Sequence, residues 1–418
     1  MNTAEEVTLE DRDLSALAGE LGEGVKLAME LVVKLAEVSR ADQLIDISRA
    51  HIDGCLYHGQ AGVDFAQRMV DSGTSVSVPT TLNVSSLDLL HPELYRGEEA
   101  DAREARRLMD LHVDLGCKPT WTCAPYQLPD RPELGEQIAW GESNAIVFAN
   151  SVLGARTNRY GDFADLACAI TGRAPHSGLH TDEGRLATVV VEVEVADELL
   201  DEDLLYPLLG HWLGANCGVE IPAIEGLDER ADEDRLKALG AAAASSGATA
   251  MFHVVGVTPE ASTLQAVTRS GGLRRLTVDS DALATARMQL GWAKGNIGAV
   301  SVGTPHMSSA GLTKLANQVS GLRTVVPFYV NTSRSSLAEA GDSALSSIQA
   351  FGATIVTDTC TYITPIIGDV SGPVMTDSGK WAYYAPGNLG VGVVIGSLAE
   401  CITSAVAGEV HLDERFGA

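Results

Sequence analysis

Short apolar runs of strand length alternate with stretches of helical periodicity along most of this chain. The clearest run alternates strictly from Val191 onward, and comparable runs occupy residues 76–83, 248–260, 299–306, 324–330 and 353–360. Strands that are separated by helices are characteristic of βαβ units, whose strands lie parallel. The pattern therefore predicts an α/β fold with mostly parallel sheets.

Helical periodicity is strongest near the start of the chain. Residues 9–40 place apolar side chains at helical spacing between charged ones, which predicts two amphipathic helices. Further helices are predicted at residues 62–72, 98–115 and 162–171. A strand that begins at Leu44 leads into a glycine-bearing loop before the helix at 62–72, and such loops contribute side chains to the mouth of an α/β site.

The length of 418 residues predicts several α/β domains around one site. A charged segment, residues 225–235, is the best linker candidate. We predict one domain over residues 1–225, carrying the N-terminal helices, Cys123 and the segment 141–159. A second α/β domain is predicted over residues 226–300, and a third over 301–418 with Cys360 and Lys380, with discontinuous domains left open.

Charge and apolar composition restrict the partners of the chain. The 29 basic and 56 acidic residues give a net charge of −27, which disfavours a nucleic-acid partner. The apolar segment 389–407 is interrupted by glycines and Glu400, so we interpret it as a buried βα unit and predict no membrane span. Residues 1–6 lack the pattern of a signal peptide, which predicts a cytoplasmic location and no disulfide framework.

The segment 118–159 has the composition of a site wall. Cys123 lies between two prolines, and Asn, Ser and Arg side chains interrupt an otherwise apolar run. No CxxC motif is present, so a metal site would have to be assembled from distant positions. From the residues alone, a buried cysteine such as Cys123, Cys360 or Cys55 is more often a small core residue than a ligand.

Other polar candidates leave two interpretations open. His176 and His180 have HxxxH spacing but lie in a loop, and we interpret them, with His51, His253 and His306, as structural groups. Arg156 and Arg159 either pair with Asp162 or bind a carboxylate through two nitrogens of the guanidinium group. Lys380 either is solvated or contacts a substrate carboxylate. Without a Walker A motif, an early GxGxxG or a serine elbow, nucleotide and acyl-transfer chemistry have no support.

A set of motifs in fixed order resembles the aconitase X family over about residues 40–400. The motifs are His51–Gly54, Pro79–Asn83, Thr122–Tyr126, residues 142–159, Phe252–Glu260, Gly303–His306, Asp358–Cys360 and Ser378–Lys380. The resemblance implies an aconitase-like multi-domain large subunit, with three α/β domains around an iron-sulfur centre. It also implies a small swivelling domain, which we expect as a separate subunit.

The activity that the resemblance implies is that of a hydro-lyase acting on a small hydroxy acid. Known substrates of the family are cis-3-hydroxy-L-proline and mevalonate 5-phosphate, and the acidic composition favours the unphosphorylated one. The alternatives are mevalonate 5-phosphate dehydration, a divergent dehydratase or isomerase with an altered cluster, and a metal-free partner subunit that retains the fold. The joint presence of Cys123, Cys360, Asn144 and Lys380 argues against the last of these.

The resemblance also assigns site residues. The expected metal ligands are Cys123 and Cys360. Substrate contacts are expected at Gly54, Cys55, Leu56, Asn83, Val84, Asn144, Ser378, Gly379 and Lys380. Lys380 and Arg156 are the candidates for holding the substrate carboxylate and, with Ser378 and Asn144, the catalytic candidates. A serine of the small subunit is implicated in proton transfer in the family.

One position departs from the family pattern. The third cysteine ligand of the family corresponds to Thr304, and a hydroxyl is a much weaker ligand for iron than a thiolate. Three alternatives follow: Cys55 is the third ligand, the centre is a two-iron or mononuclear site, or the metal is lost. With iron present, the expected reaction is elimination in which the metal binds the leaving hydroxyl while a base removes the proton alpha to the carboxylate.

Overall fold

A computed structural model describes residues 7–269 and 271–416. The chain divides into two compact units, each of which is treated by itself. The first comprises the residues up to Ser86, Glu98–Tyr126 and Asp130–Leu186, and the second comprises Leu87–Gly97, Gln127–Pro129 and the residues from Ala187 onward. Residues 1–6 of the predicted first domain lie outside the described residues.

The first unit combines helices with short strands. Its helices are α1 Asp11–Leu17, α2 Glu23–Ser39, α3 Gln60–Asp71, α4 Glu99–Asp114, α5 Ser143–Phe148 and α6 Ala164–Thr171. Its strands are β1 Leu44–Asp46, β2 Ala50–Ile52, β3 Thr80–Leu82, β4 Ala139–Trp140 and β5 Arg173–Pro175. A turn of π-helix, Ala149–Leu153, follows α5. The strands β3-β2-β4 form a parallel sheet, and β1 pairs with β5 antiparallel.

The two amphipathic helices predicted at the start of the chain are confirmed. Along α2 the residues Ala28, Met29, Val32 and Ala36 are buried, at the spacing that puts them on one face of the helix. The helices predicted at 62–72, 98–115 and 162–171 correspond to α3, α4 and α6. Periodicity therefore located these elements to within a few residues.

The second unit contains two parallel sheets. The first has the order β8-β7-β6-β9, with β6 Val189–Val193, β7 Pro222–Glu225, β8 His253–Val254 and β9 Arg274–Val278. The second has the order β12-β11-β10-β13-β14, with β10 Ala299–Met307, β11 Phe328–Thr332, β12 Ala353–Val356, β13 Val374–Thr376 and β14 Val393–Ile395. All these pairings are parallel, which confirms the predicted α/β class with mostly parallel sheets.

Helices cover these sheets and create the core of the second unit. They are α7 Leu205–Cys217, α8 Glu233–Gly247, α9 Ser280–Leu290, α10 Ser309–Val319, α11 Arg334–Phe351, α12 Gly379–Leu389 and α13 Leu398–Ala407. Every residue of β10 is buried, and its apolar side chains pack with those of α10, α11 and α13 in one cluster. Because β10 is buried throughout, its polar residues Ser301, Thr304 and His306 lie in the interior as well.

Glycines allow two close helix contacts in this unit, that of α7 with α8 and that of α12 with α8. A Cβ at Gly214 of α7 would lie 2.1 Å from Oγ of Ser246 in α8, so the two helices approach closely at this position. A Cβ at Gly379, the first residue of α12, would lie 2.8 Å from Cβ of Ala242 in α8. The start of α12 therefore packs directly against α8.

The charged segment 225–235, predicted as a linker, connects β7 to α8 inside the second unit. Arg230 there contacts Asp197, Asp201 and Asp228.

Over the described residues, no helix combines the length and the apolar character needed to cross a bilayer.

Candidate active site

The carboxyl ends of the strands β3, β2 and β4 meet at one edge of the first sheet. Asn83 follows β3, Asp53 follows β2, and Asn144 lies near the start of α5, shortly after β4. The backbone N–H of Thr122 donates to the carbonyl of Leu82 at 3.1 Å, which brings the Cys123 segment to the same edge. In parallel α/β sheets, ligands bind at this edge.

The side-chain amide of Asn144 has an orientation that its neighbours determine. Its Nδ2 donates to the carbonyl oxygen of Cys123 at 3.1 Å and to the hydroxyl of Tyr126 at 2.8 Å. Because a backbone carbonyl only accepts, the nitrogen must face Cys123. The Oδ1 of this fully buried residue has no hydrogen-bond partner among the described residues. Asn144 therefore presents an unsatisfied acceptor.

The side-chain amide of Asn83 is oriented by its neighbours in the same way as that of Asn144. Its Nδ2 donates to the carboxylate of Asp53, which accepts only, so the oxygen of the amide points elsewhere. That Oδ1 is buried, and within the described part of the chain it has no hydrogen-bond partner either. The two asparagines thus contribute two buried carbonyl oxygens.

The loop after β2 is fixed by a buried carboxyl group. Asp165 accepts from the backbone N–H of Asp53 at 2.7 Å, and burial raises the pKa of Asp165 well above its usual range. A Cβ at Gly141 would lie 2.7 Å from the Oδ2 of Asp165, so the glycine lets the backbone after β4 pass close to this group. The loop that carries Gly54, Cys55 and Leu56 is therefore held in place.

Cys55, one of the alternatives for the third metal ligand, lies in a site for a protonated thiol. Its buried Sγ contacts the carbonyl oxygens of Ile52, Asn83 and Val84 at 3.5, 3.4 and 3.7 Å. Burial raises the pKa of Cys55 well above its ordinary value, with nearby Asp53 and Asp165 contributing. Metal ligands must be thiolates, so these contacts disfavour Cys55 as a ligand.

In the second unit, His306 of β10 and Cys360, just after β12, are both buried, and a ring nitrogen and the Sγ lie within 4.8 Å of each other. The Nε2 of His306 lies 3.1 Å from the carbonyl of Thr359, to which it donates. A backbone carbonyl that accepts from the second ring nitrogen is the usual support of a metal-binding histidine, and it leaves Nδ1 as the coordinating atom. Thiolate and imidazole together suit iron or zinc, so this donor pair fits a metal centre.

The sequence favours a structural role for His306, whereas its position beside Cys360 makes it a candidate ligand. The signal that could have found it is its position two residues after Thr304, where the family has a ligand. A histidine beside a lost cysteine is a candidate replacement because imidazole is a far better iron ligand than a hydroxyl.

The segment that ends in Cys360 is anchored by side chains from elsewhere in the second unit. Asp88 accepts from the N–H and the hydroxyl of Thr357 at 2.8 and 2.9 Å. Arg334 contacts both carboxylate oxygens of Asp358, whose φ of 60° is unusual for a residue other than glycine. These contacts fix the backbone that carries the Cys360 thiol.

The predicted residues at the start of α12 are all buried. Ser378 caps the helix by accepting from the N–H of Trp381 at 3.0 Å. Lys380 is buried, with its Nζ 6.0 Å from the ring centre of Tyr362. A charged amine is rarely buried to this degree.

Arg156, in contrast, makes a structural contact. Its guanidinium binds Asp182 at 2.5 Å and the carbonyl of His180 at 3.4 Å. These contacts of Arg156 do not include the predicted partner Asp162. Since Asp182 already occupies this guanidinium, binding a substrate carboxylate there would require the ion pair to open.

Family models described as aconitase X first, second and third domain match residues 6–183, 187–288 and 297–407. A Pseudomonas aeruginosa cis-3-hydroxy-L-proline dehydratase is 45% identical over 95% of this chain and 69% of its own length. A Thermococcus kodakarensis phosphomevalonate dehydratase large subunit is 36% identical over 88% of this chain and 92% of its own length.

A solved structure of an aconitase X protein is also similar to this chain. The crystal structure of Thermococcus kodakaraensis aconitase X in its holo-form matches with a TM-score of 0.85 at 33% identity, covering 96% of this chain and all of the other. The fold and these relatives define the class of the protein as a hydro-lyase, an enzyme that eliminates water. The chain belongs to the aconitase X family. The predicted domain boundaries near 225 and 300 stay predictions.

Proposed function

We propose that this chain is the large, catalytic part of a dehydratase that removes water from cis-3-hydroxy-L-proline. The higher identity to the relative with that activity, 45% against 36%, supports the choice. The observation that carries it is the pair of buried amide oxygens on Asn83 and Asn144, neither of which has a donor among the described residues.

These oxygens match a substrate that carries N–H groups. The ring nitrogen of hydroxyproline is a secondary ammonium with two donors and a positive charge, and mevalonate 5-phosphate has no nitrogen. Two carbonyl oxygens, one of them on an amide bound to Asp53, attract the ammonium and repel a phosphate. Leaving either oxygen unpaired in a complex would cost about 1–3 kcal/mol, which discriminates against the phosphorylated acid.

We propose that Cys360 and His306 hold the metal, with His306 taking the role that Thr304 has lost. Cys123 of the first unit is proposed as a further ligand on the family resemblance alone. The group would be an iron-sulfur cluster or a mononuclear iron, and when bound it would act as a Lewis acid toward the leaving hydroxyl. Thr359 orients the imidazole through its carbonyl, and Asp88 and Arg334 hold the segment that carries the thiolate.

The elimination breaks the C2–H and C3–O bonds of the substrate. A base removes the proton from C2, and the electron pair of the C2–H bond forms the C2–C3 double bond. The hydroxyl leaves C3 and takes up a proton to become water. The resulting enamine tautomerises to a cyclic imine carboxylate. Lys380 and Ser378 are proposed to face the carboxylate side of the substrate, while the base is proposed to be the serine that the family places on the small subunit.

The swivelling domain is proposed to come from a separate small subunit. The Thermococcus relative is named a large subunit, which supports this arrangement. The cytoplasmic location stays a prediction.

The test is an assay of the anaerobically purified chain together with its small subunit. We expect iron in the protein, consumption of cis-3-hydroxy-L-proline followed by proton NMR, and no turnover of mevalonate 5-phosphate. The trans-3-hydroxy isomer serves as the matched control for geometry at C3. Turnover of mevalonate 5-phosphate alone would reverse the assignment, and activity without iron that chelators do not affect would remove the metal from it.

A further inference from the structure

The second unit contains a cavity of about 150 Å³. A cavity of this size holds a ring as small as benzene in other proteins, so a small organic acid fits. Within the described residues, α7, α8, α10, α12 and α13 all contribute lining residues from their N-terminal ends. Each of these helices has at least ten residues.

Helix N-termini carry partial positive charge, so their convergence makes the cavity attractive to an anion. The capping residues Ser308, Ser378 and Ser397 all line it. Gly379 brings the first turn of α12 against α8, because a side chain at that position would collide with Ala242. The convergence thus depends on close helix packing.

A second and independent feature points to a ligand. Thr304 lines the cavity, is only 7% exposed, and its Oγ1 has no hydrogen-bond partner among the described residues. A buried hydroxyl without a partner is costly. A ligand atom that accepts a hydrogen bond in the cavity would satisfy it.

The charges around the cavity indicate which anion fits. Among the lining residues, Arg235, Lys237 and Lys314 are balanced by Asp203, Asp234 and Asp377. Lys237 contacts Asp234 at 2.6 Å, and Arg235 contacts Asp203 at 2.9 Å. With the formal charges balanced, the helix ends supply the remaining attraction, which suits a singly charged carboxylate better than a phosphate.

We propose that this cavity binds the substrate carboxylate and that the hydroxyl of Thr304 donates a hydrogen bond to it beside the N-terminus of α12. The inference rests on the proposed function and deepens it by naming the group of the substrate that the second unit recognises. It assigns Thr304, which stands where the family has a cysteine ligand, to the organic substrate.

The experiment measures binding without turnover. L-Proline has the substrate skeleton without the leaving hydroxyl, and pyrrolidine has the ring ammonium without a carboxylate or any other carbonyl oxygen. Calorimetry on the iron-loaded protein with its small subunit compares both probes for the wild type, Thr304→Val and Thr304→Ser. We expect Thr304→Val to weaken L-proline binding about tenfold or more. Thr304→Ser should bind it as the wild type does, and pyrrolidine binding should not respond to either change.

Iron content separates the two roles of Thr304. We expect Thr304→Val to retain the iron of the wild type, and loss of iron together with intact L-proline binding would overturn the assignment. Equal L-proline affinity in the wild type and Thr304→Val would overturn it as well. If Thr304→Val does not fold, Thr304→Ala is measured in its place and read by the same criteria.

The inference and the proposed function fail separately. Thr304-dependent L-proline binding in an enzyme that does not dehydrate cis-3-hydroxy-L-proline would refute the function and keep the carboxylate site. Dehydration with L-proline affinity that is independent of Thr304 would refute the site and keep the function.

Discussion

Single side chains decide the chemistry, and their orientation depends on neighbours that are distant in sequence. The sequence indicated Asn83, Asn144, Cys123 and Cys360 through family motifs, but it did not indicate that the two amide oxygens are unpaired. That orientation follows from the carbonyl of Cys123 and the carboxylate of Asp53, which accept and cannot donate. His306 was missed because its proximity to Cys360 arises only when β10 and the end of β12 come together.

Replacing Asn144 by Asp tests the orientation of its amide. The change puts a carboxylate oxygen against the carbonyl of Cys123, where a donor now lies at 3.1 Å. We expect kcat/KM for cis-3-hydroxy-L-proline to fall by about 100-fold, since a buried unpaired charge is costly. Asn216→Asp makes the same change at an exposed position of α7 and should leave the rate unaltered. A rate for Asn144→Asp close to that of the wild type would contradict the assignment.

Iron content tests the choice between Cys55 and His306 as ligand. Because the Cys55 thiol faces three carbonyls and has a raised pKa, we expect Cys55→Ala to keep its iron. His306→Ala and Cys360→Ala should each lose most of it. Cys401→Ala, at another buried thiol, is the control for a generic packing defect. The measurement is iron per chain with the visible absorption spectrum, and iron loss in Cys55→Ala would restore that residue as a ligand.

Asp377 predicts a pH dependence for carboxylate binding. Burial raises its pKa to about 6, while the N–H of Gly303 and Lys237 oppose the rise and Asp203 adds to it. Below that pH the carboxyl group is neutral and no longer repels an anion in the cavity. We expect the Kd of L-proline to decrease as the pH falls through about 6, and Asp377→Asn to remove this dependence. Asp342→Asn, at an exposed position of α11, should retain it.

At the scale of elements, the alternation of strands and helices was predictable and the exact strands were not. The predicted strand at 76–83 is reduced to Thr80–Leu82, and that at 353–360 to Ala353–Val356. Pairing with a neighbour determines where a strand ends, and single-sequence patterns do not contain the register of that neighbour. The meeting of strand ends at one sheet edge followed from the parallel order.

The attachment of α1 to β5 gives a prediction for stability. Arg173 is buried and binds buried Asp13 through Nε and Nη2, both at 3.0 Å, and Asp46 at 2.8 Å. We expect Arg173→Met to lower the free energy of unfolding by about 3–5 kcal/mol, because it leaves the Asp13 carboxylate buried without its partner. Arg103→Met removes the exposed ion pair with Glu99 and should cost less than about 1 kcal/mol. Urea denaturation of both variants compares the two costs, and equal costs would refute the explanation.

At the scale of the whole molecule, the sequence predicted the family, the hydro-lyase class and the α/β architecture. Composition disfavoured a nucleic-acid partner, while the ordered motifs supplied the identity of the family. The division of the chain into units was less accessible, because segments such as Leu87–Gly97 belong to the second unit although both neighbouring segments belong to the first. Such crossings depend on long-range packing that local patterns do not encode.

The proposed small subunit gives a prediction at this scale. We expect the isolated chain to bind iron without dehydrating cis-3-hydroxy-L-proline, because the proposed base lies on the other subunit. Adding the small subunit should restore turnover, and a variant of that subunit with its serine changed to alanine should not. Full activity of the isolated chain would mean that the base belongs to this chain.

The contact between Gly379 and Ala242 makes the start of α12 and the middle of α8 a matched pair in volume. A Cβ added at position 379 would lie 2.8 Å from the Cβ of Ala242, so the combined volume of the two side chains is limited. A side chain at position 379 would need Ala242 to be reduced to glycine, and the carbonyl oxygen and Cβ of Pro207, at 3.2 and 3.3 Å, would still limit its size. Bulk introduced at 379 without that change would instead separate the helices, and with them the charged ends that face the ligand.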